Sequence, residues 1–245
     1  MVSPFPVRRL VLQGPQSSVR SLGRQLESTR DHTGNRDVLI EFLPPQGEPI
    51  QLNLHPGELL IGCRGKNPKS IRRKPNDSSV VKFDKDGKFL MTWREKGNPP
   101  DDTRPGYFDA VHGVQVDPET RRVYVTDRSS HRIQVFDENG KYLDQFSTGV
   151  PSTPQVLYLA QDRSIWVADN DTSRLVKYDI EGHYLYSWGT KADWPGSFWN
   201  PHGMSVDPEG NLYLAQVNAG RVDKFRPRKG ANPAMLVGQP MKAMP

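Results

Sequence analysis

Short apolar runs alternate with polar turns along most of the chain, with a period of two residues and not the 3.6 residues of a helix. From His112 onwards the runs are VQV, VYVTD, RIQVF and KYLDQF, and segments rich in Asp, Pro, Asn and Gly separate them. Such alternation, with β-branched and aromatic side chains filling the runs, is typical of antiparallel strands. The pattern predicts four successive strands joined as a meander.

The four-strand pattern recurs along the chain in the same register. PGYFDAVHGVQVDPE at residues 105–119 and PGSFWNPHGMSVDPE at residues 195–209 share their Pro, Gly, Phe, His, Gly, Val, Asp, Pro and Glu. Another unit lies between them, and an earlier unit with an insertion runs from Ile50 to Trp93. An aromatic residue recurs in the third strand at intervals of 53, 42 and 47 residues, at Phe83, Phe136, Tyr178 and Phe225. Four-stranded units of roughly 40 to 50 residues are the size of β-propeller blades.

The repeats divide the chain into three segments. About four units account for residues 50–239, the last closing with a predicted strand AMLVG near Leu236, and residues 240–245 form a tail. We expect an all-β fold of the six-bladed type with an incomplete ring, whose unpaired strand edges favour a partner chain. Residues 1–49 contain at most one strand, VLIEFL at 38–43. Two interpretations of that irregular segment stay open: it is disordered, or a truncation, alternative start or reading-frame error makes it non-native.

The net charge of +5 belongs to the first third of the chain. Residues 1–80 hold 12 basic and 7 acidic residues, whereas the remaining 165 residues hold 21 of each. No aromatic residues interleave with the densest basic run, RRK at residues 72–74, to offer stacking platforms for bases. We therefore expect the repeats not to bind nucleic acid.

Cysteine usage and hydropathy bear on disulfides and on membrane or export segments. The single Cys63 cannot form an intrachain disulfide, so stability must come from packing. No run of about 18 apolar residues occurs, and the apolar stretch LVL at residues 10–12 is too short for a signal-peptide core. We expect a soluble protein without a membrane span or an export signal in this chain, and its compartment stays open.

The unit HGVQVDPETRRVYVTDRSSHRIQVFDENGKYL and its counterparts resemble the NHL repeat. The chain from about Ile50 to Gly238 thus resembles an NHL-type β-propeller. Within that group it is similar to bacterial proteins of the peptidyl-α-hydroxyglycine α-amidating lyase type, a type that is often exported. That lyase cleaves a C-terminal hydroxyglycine into a peptide amide and glyoxylate.

The resemblance implies a single zinc ion, held at the mouth of the central channel by three histidines from the first strands of alternate blades. His112 and His202 match two of these histidines, and Arg128 matches an active-site arginine that follows a second strand. The third histidine would fall in residues 1–49, where no PHG motif occurs. The family's tyrosine would fall near Cys63, and Gly203 replaces an aspartate associated with structural calcium. Zinc is therefore expected only if a third ligand exists.

Further residues near the predicted channel mouth are candidates for binding. Gln155 begins the first strand of the unit between the two histidine units, and Trp199 stands just ahead of His202 at a position that varies between repeats. We expect both to line a substrate or ligand. Most of the neighbouring aromatic residues, Trp188, Trp194 and Phe198, are expected to pack between blades.

Aspartates end two equivalent second strands, Asp127 and Asp169, and the third counterpart is Gln216. We expect each aspartate to cap the turn that follows it, as Asp commonly does. Ser129, Ser130 and His131 place hydroxyls beside an imidazole, but three neighbours in a turn do not provide the convergent geometry of a nucleophile and its base.

Two functional hypotheses follow. The first is a propeller scaffold that binds a small molecule, a peptide or a protein partner at its channel mouth. The alternative is a zinc-dependent carbon–nitrogen lyase, in which His112 and His202 hold the metal and Arg128 positions substrate or stabilises a developing alkoxide. Without metal, each histidine is expected to bond a loop carbonyl and order the channel mouth.

Overall fold

The computed structural model describes residues 27–30, 36–39, 54–55, 58–63, 79–84, 89–93 and 104–238. Nearly every regular element in these ranges is a β-strand, and the strands form four antiparallel sheets and a separate hairpin. Each sheet is a meander in which consecutive strands pair. This is the β-propeller architecture that the alternating pattern predicts.

The first and second sheets lie in the first half of the repeat region. The first sheet contains β3 (Leu54–His55), β4 (Glu58–Cys63), β5 (Ser79–Asp84) and β6 (Phe89–Trp93). The second sheet contains β7 (Val111–Val116), β8 (Val123–Asp127), β9 (Arg132–Phe136) and β10 (Tyr142–Ser147).

The third and fourth sheets follow directly. The third sheet contains β11 (Pro154–Leu159), β12 (Ile165–Asp169), β13 (Arg174–Tyr178) and β14 (Tyr184–Trp188). The fourth sheet contains β15 (Pro201–Val206), β16 (Leu212–Gln216) and β17 (Arg221–Phe225). A hairpin of β1 (Glu27–Arg30) and β2 (Arg36–Leu39) precedes the sheets, in a segment where the pattern predicts no strand before Val38.

The last strand is the most exposed strand in the second, third and fourth sheets. The side chains of β8 and β9 are buried throughout, whereas most of those on β10 are exposed. The first strand of the third sheet, β11, contacts both β7 and β15, so the first strands lie together on the inside. The outer strands consequently face solvent along one side.

Aromatic pairs join each sheet to the next. A ring on the last strand of one sheet packs against the third-strand ring of its neighbour, at centroid separations of 6.2, 5.3 and 5.4 Å for Trp93–Phe136, Phe146–Tyr178 and Trp188–Phe225. Edge-to-face and tilted geometries at these distances are favourable for aromatic rings. The recurrent third-strand aromatic residue is therefore the contact by which neighbouring sheets bury their faces.

Glycine allows the inner strands β7 and β11 to approach each other closely. A Cβ atom on Gly113 would lie 3.0 Å from the Gln155 carbonyl oxygen and 3.1 Å from the Cα atom of Val156. The Thr126 hydroxyl sits at the same junction, where it accepts from the Gly113 amide at 2.6 Å and donates to the Gln155 carbonyl at 2.8 Å. The glycine of the HG motif thus has a packing role in the second sheet.

An ion pair joins the second and third sheets at the opposite end of these strands. The guanidinium of Arg163 lies 2.8 Å from the carboxylate of Asp117, which is buried. Burial alone would raise the pKa of Asp117, but hydrogen bonds from Thr120, the Glu119 amide and Arg163 outweigh it and lower that pKa. The carboxylate is therefore held in its charged form.

One expectation about the last unit is wrong, and another is confirmed with an exception. The predicted strand near Leu236 is absent, because Pro233–Met235 forms a 3₁₀ turn in which the side chain of Asn232 accepts from the Ala234 amide at 3.0 Å. Proline lacks the N–H that a strand ladder requires. Most of the neighbouring aromatic residues pack between sheets as expected, since Trp188 and Phe198 contact Phe225. Trp194 is the exception, with 65% of the residue exposed.

The remaining expectations about residues 1–49 and 240–245 fall largely outside the described residues. None of the helical turns in the described ranges is long enough to cross a membrane.

Candidate functional site

Three equivalent positions meet at one end of the inner strands. His112, Gln155 and His202 are each the second residue of a first strand, in β7, β11 and β15. The pairs Val111–Asp127, Pro154–Asp169 and Pro201–Gln216 place this end beside the last residues of the second strands. We call the end of the sheets that contains His112, Gln155 and His202 the histidine end.

The two histidines are in contact although a whole sheet separates them in sequence. Their ring centroids lie 4.6 Å apart and the ring planes meet at 74°, an edge-to-face arrangement. Both residues are buried, with 3% of His112 and 7% of His202 exposed. The histidine end therefore brings two imidazoles into contact in the interior of the protein.

Gln155 contributes a buried carboxamide from the strand between the two histidine strands. The residue is 0% exposed, and neither its side-chain oxygen nor its side-chain nitrogen has a hydrogen-bond partner among the described residues. Its backbone carbonyl, in contrast, accepts from the Thr126 hydroxyl. Burying an amide without partners costs a few kcal/mol. The side chain of Gln155 is thus available for a donor and an acceptor on a ligand or a water molecule.

Arg128 and Trp199 lie in segments next to the histidine strands. Arg128 begins the 3₁₀ turn Arg128–Ser130 after β8, and its backbone N–H donates to the carbonyl of Ala110 at 2.9 Å, two residues before His112. Trp199 is half-buried, and its backbone N–H donates to Gln216 at 2.5 Å. Both predicted residues therefore belong to the histidine end, while their roles stay predictions.

The expectation for Asp127 is wrong and that for Asp169 is right. No side-chain capping bond joins Asp127 to the following turn. Its carboxylate instead accepts from the backbone N–H groups of Asp109 and Ala110, at 2.9 and 3.2 Å, and so holds the segment that leads into β7. Asp169 caps its turn through the amide of Thr172 at 2.9 Å and also accepts from the amide of Thr153.

The Ser129–Ser130–His131 turn is not arranged as a nucleophile and base. The Nδ1 atom of His131 contacts the backbone carbonyl oxygen of Ser152, and the Ser152 hydroxyl donates to Asp169. The imidazole thus fixes the loop before β11, and no hydroxyl is brought to it by these bonds.

Sequence reasoning missed Arg132, Gln134 and their partners. Arg132 and Gln134 both donate to the carbonyl of Tyr107, in the loop before β7. A signal was present, because the spacing of Asp127, Arg132 and Gln134 recurs in the fourth sheet. The alternation of apolar and polar residues could not reveal these contacts, because polar residues at such positions are ordinary in exposed strands.

The described residues of the histidine end offer two imidazoles for a metal. Catalytic zinc takes three protein ligands and structural zinc four. Within residues 104–238 and the described strands before them, no group of three His, Cys, Asp or Glu side chains could hold a metal ion. The described donor set thus falls short of a zinc site, and the third histidine position implied by the resemblance lies in residues 1–49.

Comparison with known proteins identifies the repeat. Residues 108–136 match the NHL repeat family. NHL repeat-containing protein 3 of Homo sapiens is 26% identical over 187 residues, which are 69% of this chain and 48% of that protein. Peptidyl-alpha-hydroxyglycine alpha-amidating lyase 1 of Drosophila melanogaster is 41% identical over 58 residues, which are 23% of this chain and 10% of that protein. The chain spans less than half the length of the curated relatives it matches.

The fold has a counterpart among solved structures. A luciferin-regenerating enzyme superposes with a TM-score of 0.50 at 14% sequence identity, over 80% of this chain and 72% of that one. At this identity the likeness concerns the fold alone, and the number of blades in a complete ring stays a prediction. Residues 108–136 thus form a repeat of the NHL type, and the meandering four-stranded sheets of the described residues have a β-propeller fold.

Proposed function

We propose that the chain is a binding module that holds a small polar molecule, or the end of a peptide, at its histidine end. The observation that carries this proposal is the carboxamide of Gln155, which is fully buried and has no partner among the described residues. Buried polar groups in folded proteins are almost always hydrogen-bonded, and exceptions often mark a functional site. A ligand that pairs with the carboxamide removes this cost.

The neighbouring side chains narrow the chemistry of the ligand. Gln155 offers one acceptor and one donor group, and the buried imidazoles of His112 and His202 lie at the same end of the inner strands. A carboxamide or a peptide group presents the matching donor and acceptor together. The zero net charge of residues 81–245 favours such a neutral ligand over nucleic acid.

Titration with a neutral amide tests the proposal. N-acetylglycinamide is added to the full chain carrying ¹⁵N-labelled glutamine and histidine, and the side-chain signals of Gln155, His112 and His202 are followed by NMR. We expect saturable shifts of these signals, and loss of the saturable response in Gln155→Leu. Saturable binding that is unchanged in Gln155→Leu, or no binding of any amide probe up to millimolar concentration, contradicts the proposal.

A zinc-dependent carbon–nitrogen lyase is the second candidate. The contact between His112 and His202 favours it, as does the local similarity to the amidating lyase of Drosophila melanogaster. The described residues supply two of the three ligands that catalytic zinc requires, so this function needs a third ligand from outside them. Elemental analysis of purified protein tests it. Near-stoichiometric zinc that disappears in His112→Ala/His202→Ala supports the lyase, and a zinc content equal in both proteins removes its basis.

A further inference from the structure

A buried network in the second sheet holds the loop that leads to His112. Arg132 is buried, and its Nε donates to the carboxylate of Asp127 at 2.9 Å. The Nε2 of Gln134 donates to the carbonyl of Tyr107 at 2.9 Å, and its Oε1 accepts from the amide of Gly106 at 2.9 Å. Arg132 donates to the same Tyr107 carbonyl. One arginine, one carboxylate and one carboxamide thus fix the segment before β7.

The fourth sheet contains the same network ahead of His202. The Nε of Arg221 donates to the carboxylate of Asp223 at 3.0 Å, and another guanidinium nitrogen donates to the Trp194 carbonyl at 2.7 Å. The Nε2 of Gln216 donates to the Ser197 carbonyl at 3.1 Å, while its Oε1 accepts from the amide of Trp199. The loop before β15 is therefore held as the loop before β7 is.

The carboxylate and the carboxamide exchange places between the two networks. In the second sheet Asp ends the second strand and Gln is the third residue of the third strand, whereas in the fourth sheet Gln ends the second strand and Asp is the third residue of the third strand. The spacing between the three members is identical, in Asp127, Arg132, Gln134 and in Gln216, Arg221, Asp223. Each network keeps one negative charge beside its arginine, whichever strand supplies it.

The intervening third sheet, which carries no histidine at its inner strand, lacks this network. Its equivalent arginine, Arg174, is exposed, and its guanidinium donates to the Ser187 hydroxyl at 3.3 Å on the neighbouring strand β14. Val176 occupies the place of the carboxamide, so no side-chain amide is present there. The network therefore accompanies the two histidine strands and not the strand of Gln155.

We propose that Arg132 and Arg221 are positioning residues, which set the entry of β7 and β15 and thereby the relative placement of the His112 and His202 rings. A guanidinium donates from several nitrogens in a fixed plane, so one side chain can hold a carboxylate and a loop carbonyl in one geometry. The proposal rests on the proposed function in one respect only, because both take the two histidines as the ligand site.

Histidine ring signals provide a readout that does not need a ligand. The full chain is labelled with ¹⁵N and ¹³C histidine, and the signals of His112 and His202 are assigned with His→Gln variants. We expect Arg132→Met and Arg221→Met to shift or broaden both signals at a temperature where the proteins are folded, and Arg174→Met to leave them unchanged. Unchanged signals in Arg132→Met and Arg221→Met, with a lowered melting temperature, would show a merely structural role and overturn the proposal.

Rescue by exchange gives a second test, for the case in which a single variant folds poorly. Asp127→Gln leaves Arg132 without its carboxylate, and Gln134→Asp restores the charge in the arrangement of the fourth sheet. We expect Asp127→Gln to perturb the histidine signals and Asp127→Gln/Gln134→Asp to return them towards the parent positions. A double variant as perturbed as the single one overturns the proposal. Because neither measurement involves an amide probe, its outcome is independent of whether the proposed ligand binds.

Discussion

The imidazole rings of His112 and His202 touch edge to face at a centroid separation of 4.6 Å, although one complete sheet lies between their strands in the sequence. The contact requires that β7, β11 and β15 lie side by side on the inside of the molecule, with equivalent residues at the same level. The two rings thus report on the placement of three sheets. A mutation at one ring should therefore change the contribution of the other ring to the free energy of unfolding.

A double-mutant cycle measures that coupling. We expect His112→Leu and His202→Leu to change the free energy of unfolding non-additively, by about 0.5–1.5 kcal/mol, the range found for aromatic pairs in contact. Denaturant unfolding of the parent, both single variants and the double variant gives the coupling energy. His183→Ala is the control, because His183 is exposed and bonds Asp179 on an outer turn. It should add to His112→Leu within about 0.5 kcal/mol, and a coupling no larger for the histidine pair would contradict the prediction.

The two HG motifs should respond differently to alanine. At Gly113 a new Cβ would meet two backbone atoms of the neighbouring strand at 3.0 and 3.1 Å, which cannot move as a side chain does. At Gly203 the nearest atom would be the Cβ of Ala215 at 3.4 Å, an ordinary contact. We therefore expect Gly113→Ala to lower the free energy of unfolding by about 1–3 kcal/mol, as overpacking does, and Gly203→Ala to change it by less than about 0.5 kcal/mol. Equal effects in chemical denaturation would contradict this explanation.

The strands could be predicted from sequence because each is local. A period of two residues between turn residues places β7 to β17 within three residues of their observed bounds, and the third-strand aromatic residue recurs visibly. The partners of Asp127 could not be predicted, because the amides that it accepts from lie 17 and 18 residues earlier, in a loop whose path the local pattern does not specify. Trp194 likewise has a backbone partner that is distant in sequence, since Arg221, 27 residues later, donates to its carbonyl at 2.7 Å.

The buried phenol of Tyr178 should make stability fall at alkaline pH. Burial raises the pKa of Tyr178 to about 12, and the nearby charge of Asp169 adds to the increase. A group whose folded-state pKa is raised contributes stability that is complete below its unfolded value near 10 and is lost as pH rises towards 12. We expect a loss of about 2–3 kcal/mol over this range, because one pKa unit corresponds to about 1.4 kcal/mol.

Unfolding experiments on Tyr178→Phe between pH 8 and 12 test whether Tyr178 causes this fall in stability. The variant lacks the ionisable group, so its stability should fall less steeply than that of the parent. Tyr186→Phe, on the neighbouring strand β14, is the matched control for the loss of one phenol hydroxyl. A slope for Tyr178→Phe that matches the parent's would show that another group causes the alkaline loss.

The buried carboxylate of Asp117 should make stability fall at acid pH. Its pKa is lowered in the folded protein, so the stability it contributes is present above the unfolded value near 4 and is lost as pH falls below that value. Asp117→Asn should therefore weaken the acid dependence of unfolding between about pH 5 and pH 2, and should lower stability at pH 7 by about 1–3 kcal/mol through the lost bonds to a buried acceptor. Glu119→Gln is a matched control, because Glu119 bonds the same Arg163 from an exposed position. Its effect should stay below about 1 kcal/mol, and an effect as large as that of Asp117→Asn would contradict the role of burial.

Gln155 and Gln134 offer the sharpest comparison, since both are 0% exposed. Gln134 is bonded through both ends of its carboxamide, to Gly106, Tyr107 and Asp127, whereas the carboxamide of Gln155 has no partner among the described residues. Leucine is similar in size to glutamine but has no polar atoms. At residue 134 it removes hydrogen bonds, whereas at residue 155 it removes only the cost of burying an amide that has no partner. We expect Gln134→Leu to lower the free energy of unfolding by about 1–3 kcal/mol and Gln155→Leu to raise it by a similar amount, measured by urea denaturation without added ligand. A residue that lowers stability and is kept for binding behaves in this way. Destabilisation of both variants to the same extent would mean that the carboxamide of Gln155 is already satisfied in the free protein.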